Sequence, residues 1–358
     1  MRHAQSLQTW ENGCSRRRAR LLLIAMIGTL MWHPEPACAV IQFQKVFLSE
    51  YIEEHPDEEF AKFAKRKARC YVCHQGKGNK HNNVYGEQLA RLLDHKEDKK
   101  NDAKITAALR KVGELPLDPS DPKSETFAQR IAASKLPAGE LEDLKKPWGV
   151  PLFDGKSLAG WMGATDAYEV REGVLTSVPG QSGNLYTESE HADFVLLFEF
   201  RLTPGANNGI GIRTPSKGDA AYMGIELQVL DNTAEKYADL KPYQFHGSAY
   251  GIAPAERGHL KPVGEWNSQE IRCEGSKIEV VLNKHVILDI DLDEVAPNGK
   301  AIDGKEHAGL SRKTGHIGLL GHGDVVEYRK FEIQDLSPEK KLGSSMAEEK
   351  KFKGERTE

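Results

Sequence analysis

From residue 151 to residue 336 the apolar residues recur with a period of two. Phe194, Leu196, Phe198, Phe200 and Leu202 alternate with Val195, Leu197, Glu199 and Arg201, and Ile225, Leu227 and Val229 alternate with Glu226 and Gln228. Ile278, Val280 and Leu282 repeat the pattern, as do Ile317 and Leu319. Successive side chains of an extended chain point to opposite faces, so each run predicts a strand with one face in a core. Turn-forming clusters separate the runs at Pro204-Gly205, Asp231-Asn232, Pro297-Asn298-Gly299 and Asp303-Gly304. Many strands at this spacing, with no long helix between them, predict an antiparallel sandwich over 147–336.

Upstream, over 43–112, the period is helical. Pro56, Asp57, Glu58 and Glu59 open a segment whose last turn is basic, with Lys65, Arg66, Lys67 and Arg69. Acid first and base last complements the helix dipole, and this helix should end at Cys70. A second helix is predicted from Val84 to Leu93. A third, with Asp102 as N-cap, puts Ile105, Ala108, Leu109 and Val112 on one face. Pro116, Pro119 and Pro122 mark 113–146 as a linker with short helices, one capped by Ser124 and running from Glu125 to Ala133.

The ends have a different character. Arg16, Arg17, Arg18 and Arg20 precede an apolar run, Leu21 to Trp32, and Ala37-Cys38-Ala39 offers small residues for cleavage. Residues 1–39 therefore read as a signal peptide, which predicts an exported, periplasmic or extracellular protein. Residues 337–358 are charged and poor in apolar residues, and read as a disordered tail. A net charge of −4 over 358 residues gives no reason to expect nucleic acid as a partner.

After cleavage the cysteines are Cys70, Cys73 and Cys273. Cys273 lies in an alternating run and is expected in the core. Cys70-Tyr71-Val72-Cys73-His74 is a C-x-x-C-H motif, the attachment site of covalent haem c. Two thiols one helical turn apart reach one porphyrin edge, and the adjoining His74 becomes the ligand of the haem iron. A zinc site would need two more ligands at close spacing, and no second C-x-x-C exists. The segment resembles the small cytochrome c domains of exported bacterial proteins, as Cys73-His74-Gln75-Gly76 and Asn83-Val84-Tyr85-Gly86 also suggest. No methionine stands between Met31 and Met162, so His81, His95 or an open position is left for the sixth ligand.

In the sandwich, Glu226 and Gln228 form a polar row opposite an apolar one. Gly209 and Gly211 with Arg213 do the same, and His322 closes a glycine-rich run from Gly318. The glycines are expected to leave room above the sheet for a ligand. Clustered, a carboxylate, a guanidinium and an imidazole would supply base, oxyanion partner and acid. Apart, they would be a solvated cross-strand pair and a loop cap.

Leu152-Phe153-Asp154-Gly155-Lys156-Ser157-Leu158 to Trp161 resembles the opening of the 3-keto-disaccharide hydrolase family, once known only as a domain of unknown function. Its members are also described as 3-keto-glucoside 1,2-lyases and 3-keto-2-hydroxyglucal hydratases. Further matches are Asn207-Asn208-Gly209-Ile210 with Arg213, Glu226-Leu227-Gln228-Val229-Leu230-Asp231, Tyr250-Gly251, Gly264-Glu265-Trp266-Asn267 and Gly318 to Asp324. Asn208 stands where the family more often has serine, and Leu320-Gly321 replaces a polar Gln-Asp pair. The resemblances together imply two domains: a small all-α cytochrome c-like domain, then an all-β concanavalin-like jelly-roll sandwich. They imply an exported enzyme that cleaves 3-keto-glycosides, fused to an electron-transfer domain with its own redox partner. Glu226 and His322 would act as base and acid in an undecided order, with Arg213 on the enolate. Gln228, Asp231, Tyr250 and Asn208 would bind substrate. A divalent metal held by Glu226, Asp231 or His322 stays open as an alternative partner for the enolate, although no spacing indicates it. Trp161 and Trp266 are expected in the core. The competing reading is a non-catalytic carbohydrate-binding sandwich that tethers a cytochrome c.

Overall fold

The computed structural model describes residues 41–78, 80–117 and 123–336. The expected signal peptide and charged tail lie outside the described residues. Six helices come first: α1 (Ile41–Tyr51), α2 (Glu58–Phe63), α3 (Val84–Ala90), α4 (Asp102–Gly113), α5 (Phe127–Ala132) and α6 (Leu141–Leu144). The Asp57 carboxylate caps α2 by accepting from Phe60 N at 2.9 Å. Beyond Phe63 the helix widens into a π turn, Ala64–Ala68, and tightens into a 3₁₀ turn, Arg69–Val72, which delivers Cys70. The cap of α4 is Asn101, one residue before the expected Asp102. α5 is capped by Thr126, with Gln129 completing the box, two residues after the expected Ser124. An isolated antiparallel bridge pairs Pro116 with Thr126 just before α5 begins. Phe60, Tyr85, Ile105, Leu109, Phe127 and Ile131 share one buried cluster. Of the segment expected as a linker, residues 123–146 are packed, because Phe127, Ile131, Leu136 and Leu144 all enter this core.

The strands are antiparallel throughout the described residues. A short ribbon joins β1 (His74–Gln75) to β2 (His81–Asn82). The next strands are β3 (Val150–Pro151), β4 (Trp161–Gly163), β5 (Tyr168–Arg171), β6 (Val174–Ser177), β7 (Ser182–His191), β8 (Phe194–Leu202) and β9 (Asn207–Thr214). Then come β10 (Ile225–Leu230), β11 (Trp266–Glu274), β12 (Lys277–Leu282), β13 (His285–Asp291), β14 (Gly315–His322) and β15 (Val326–Asp335). Five form a sheet in the order β10-β9-β14-β7-β4. Eight form the other, in the order β13-β12-β11-β8-β15-β6-β5, with β3 also on β15.

The predicted alternation fills the space between the sheets. Leu196, Phe198 and Phe200 from β8 meet Ile210, Ile212 and Leu227 from the smaller sheet, all of them buried. Phe198 stacks on Phe331 with ring centroids 5.0 Å apart. Each such side chain contributes about 1.5–3 kcal/mol through removal from water. Cys273 joins this core as a free thiol. Trp161 is buried with its Nε1 donating to Leu152 O, but Trp266 is not a core residue. Its place in the β11 alternation puts it on the outer face, where the Arg201 and Arg329 guanidiniums lie 4.8 and 4.0 Å from the ring centroid.

All described elements belong to one compact unit, within which the helical part keeps a hydrophobic core of its own. It docks on the outer face of the eight-stranded sheet through charges. Arg91, the residue at the C-cap of α3, makes a bidentate pair with Glu279 on β12, at 2.8 and 2.6 Å. Arg272 on β11 reaches Glu87 at 3.2 Å, and Lys284 reaches Asp94 at 3.1 Å. His81, stacked on Trp148, contacts Glu332 at 3.0 Å. Glu270 joins Glu87 and Glu279 here, so three carboxyls share two guanidiniums. Burial, then the charge of Glu87, pushes the Glu270 carboxyl up to about 7. Arg91→Ala should therefore cost about 1–3 kcal/mol at pH 8, where Glu270 has lost its proton, and less at pH 5, where Glu270 holds it. Urea denaturation at the two pH values measures the difference.

Candidate functional site

The site is built on β9 and β10. Ile225 pairs with Ile212 and Leu227 with Ile210, and these four point into the core. Glu226, opposite Gly211, and Gln228, opposite Gly209, point outward. The chain at 247–250 adds itself beside β10. Gly247 N donates to Gln228 O at 2.8 Å, Gln228 N to Ser248 O at 3.0 Å and Tyr250 N to Glu226 O at 2.9 Å. With Leu227 bridged to Ala249, Tyr250 becomes the cross-strand neighbour of Glu226, their Cβ atoms about 5 Å apart. Three predicted residues, Glu226, Gln228 and Tyr250, thus share one outer face.

The Glu226 carboxyl is the unusual group. Only 5% of the residue is exposed, and its Oε1 is buried with no hydrogen-bond partner. A Cβ placed on Gly209 would lie 2.1 Å from that oxygen. Gly209 therefore does not leave empty space; it makes room for the Glu226 carboxyl itself. The expected room over the other glycines is also taken, over Gly211 by Thr214 and Leu320 and over Gly318 by Tyr186 and Leu320. Burial, with the charge of Asp219 second, pushes the Glu226 carboxyl up to about 8. Beside it, Gln228 Nε2 donates to Asn207 Oδ1 at 2.6 Å and to Asn208 O at 3.0 Å, which fixes the amide.

Other predicted residues lie elsewhere. Arg213 is not an oxyanion partner. Its backbone is left-handed (φ 49°), and its guanidinium donates to Ala192 O, Gly275 O and the Asp193 carboxylate at 2.7–3.0 Å. It clamps the turns β7–β8 and β11–β12 to β9, and is 1% exposed. Asp231 is not free to bind a hydroxyl, because it accepts from Gly205 N, Thr233 N and the Thr233 hydroxyl. Asn208 points between the sheets, where its Oδ1 accepts from the Tyr328 hydroxyl at 2.9 Å. His322 shares the outer face with Glu226 and is exposed. Gly318 is level with Gly211 and Glu226, so His322 lies about 13 Å further along and two strands across. Among the described residues no group of three or more His, Cys, Asp or Glu could hold a metal ion.

The same face carries residues that the sequence pattern did not single out. On β7, Asn184 Nδ2 donates to the Tyr186 hydroxyl at 2.8 Å. A short helix, α7 (Ala220–Met223), stands over the sheet with Ala220 packed on Tyr186 and Leu320. Asp303, Lys305 and His307 come from a loop that announces itself in sequence only as a turn, Asp303-Gly304.

Residues 148–334 match the family described as the 3-keto-alpha-glucoside-1,2-lyase-like domain. The chain belongs to this family. Among solved structures, a crystal structure described as a candidate glycosyl hydrolase from Parabacteroides distasonis is 30% identical, with a TM-score of 0.47, over 52% of this chain and 98% of that one. A second from the same organism is 23% identical, with a TM-score of 0.45, over 52% and 93%. A carbohydrate-binding module from Bacillus subtilis is 12% identical, with a TM-score of 0.33, over 49% and 96%. No curated protein matches the chain. The family match spans the sandwich and leaves the helical part outside it.

A carboxyl with a folded value of about 8 against an ordinary 4.5 binds its proton more tightly when folded, so stability falls as pH rises across that interval. Glu226→Gln, which keeps the shape without the charge, should leave melting unchanged at pH 4 and raise stability at pH 9 by about 1–4 kcal/mol. Calorimetry at both pH values checks it.

Proposed function

We propose that the sandwich cleaves 3-keto-glycosides, with Glu226 as the base. The observation that carries this reading is a buried carboxyl without a partner, on a polar sheet face of a chain in the 3-keto-alpha-glucoside-1,2-lyase-like family. A ketone at sugar C3 acidifies the hydrogen on C2. Glu226 takes that proton, and the electron pair passes into the C3 carbonyl oxygen as an enolate. When the enolate collapses, the C1–O bond breaks and a C1–C2 double bond forms. The leaving oxygen takes a proton, and protonated Glu226 has one to give. Adding water across the double bond completes a net hydrolysis. A base with a value near 8 suits this work, since its affinity for a proton is close to ambient pH. Gln228 and Tyr250 flank it and would hold ring hydroxyls.

The measurement is aglycone release from a chromogenic 3-keto-glucoside. Wild type should release it with kcat/KM rising toward a plateau above about pH 8, and Glu226→Gln should lower kcat by about 10²- to 10⁴-fold. Binding without release by wild type at any pH would favour the non-catalytic carbohydrate-binding reading instead.

We further propose that 70–74 carry haem c, with thioether bonds to Cys70 and Cys73 and His74 on the iron. Several contacts support this. Cys73 N donates to Cys70 O at 3.2 Å, one turn apart, and both thiols are free. His74 Nδ1 lies 3.2 Å from His81 O, which makes Nδ1 the donor and leaves Nε2 for a metal. Asn83 steadies the loop by donating to Tyr71 O and His74 O. When bound, the group supplies one-electron transfer. This reading brings with it export and a redox partner. A pyridine haemochrome spectrum after expression with haem-attachment machinery should show covalent haem in wild type and none in Cys70→Ala/Cys73→Ala. A colourless wild type contradicts it.

A further inference from the structure

The loss of Arg213 from the site leaves the enolate without an electrophile, and the outer face offers another. We propose that Tyr222, with the Lys305 ammonium on its hydroxyl, is the proton donor to the C3 oxygen; this rests on the 3-keto-glycoside reading. Lys305 Nζ donates to the Tyr222 hydroxyl at 2.7 Å and lies 4.7 Å from the ring centroid. Asp303 builds the pair from below. Its Oδ1 accepts from Lys305 N at 2.9 Å, and its Oδ2 accepts from the Tyr222 hydroxyl at 3.4 Å, which keeps the proton of that hydroxyl in place before substrate arrives. Both oxygens stand 3.2 Å from His307 Nε2, and the His307 ring, with no side-chain exposure, packs 4.6 Å from that of Tyr222.

Two connections bring this unit to Glu226. Tyr222 sits on α7, which packs on the same outer face and leads through Gly224 straight into β10. The second runs through Gly251, the residue after Tyr250. Asp303 N donates to Gly251 O, and a Cβ on Gly251 (φ +72°) would lie 2.6 Å from Asp303 Oδ2 and 2.9 Å from His307 Cε1. The Asp303–His307 wedge therefore sets where Tyr250 stands, and Tyr250 is the cross-strand neighbour of Glu226.

The step balances within these groups. Glu226 removes the C2 proton, and the electron pair moves onto the C3 oxygen. The Tyr222 hydroxyl turns its hydrogen from Asp303 Oδ2 to that oxygen and gives up the proton, and the phenolate formed is held by the Lys305 ammonium. As the C1–O bond breaks, the proton returns from the C3 oxygen to Tyr222, and Glu226 passes its own to the leaving oxygen. No external oxidant or reductant is needed. Tyr222 is the catalytic residue; Lys305, Asp303 and His307 act through it.

The test is kinetic, with the full chain and a chromogenic 3-keto-glucoside. Tyr222→Phe and Lys305→Met should each lower kcat about 10²- to 10³-fold, with KM within about threefold. The double variant should lose little more than either single one, because the two act as a unit. Lys305→Arg should recover most of the rate. Lys305 is exposed and Phe keeps the Tyr222 ring, so neither change threatens folding. An active wild type whose two single variants keep kcat, or whose losses multiply in the double, overturns the pair while leaving the Glu226 reading intact. A wild type without release overturns both.

Discussion

One buried carboxyl organises the smaller sheet. Glu226 lies flat on Gly209, without a partner for its Oε1, on a strand whose every residue is buried. An ionised carboxylate in such a place is costly, so the group holds its proton to unusually high pH. Everything near it follows from that constraint. Gly209 has no side chain because the carboxyl occupies the space one would need. The 247–250 segment closes the open edge of β10 and satisfies its backbone, which would otherwise add unpaired groups beside a buried acid. The apolar core between the sheets, with Leu196, Phe198 and Ile212 fully packed, supplies the stability that offsets the misplaced acid.

The junction between the helices and the larger sheet uses the same physics differently. There the acids Glu87, Glu270 and Glu279 do have partners, Arg91 and Arg272, but one charge too many. The helical part is thus tied to the sandwich by contacts whose strength depends on proton uptake. Alternation alone puts Glu270, Arg272 and Glu279 on the outer face of β11 and β12, and the docking of α3 makes that face an interface.

Legibility in the sequence followed the range of the interaction. The period of two gave the strands of the sandwich, and the Glu226–Gln228 row was visible because alternation alone assigns them to one face. The start of α2 was visible because its cap and charges are local. Arg213 misled because alternation assumes regular backbone, whereas a left-handed residue at the end of β9 turns its side chain toward the turns at Asp193 and Gly275. Asp231 and Asn208 misled because a polar type says nothing of whether a backbone amide or the Tyr328 hydroxyl has already claimed it. His322 fell on the right face, four residues too far along. The Tyr222–Asp303–Lys305–His307 unit had no signal, since it is assembled from a short helix and a loop about 80 positions apart.

The central claim is that the Glu226 carboxyl is neutral in the resting protein near neutral pH. Infrared difference spectroscopy between wild type and Glu226→Gln, titrated upward in pH, reads that protonation state directly. The account predicts a protonated-carboxyl band, absent from the variant, that disappears with a midpoint near pH 8. A wild-type spectrum in which that band is already gone at pH 5 would contradict it.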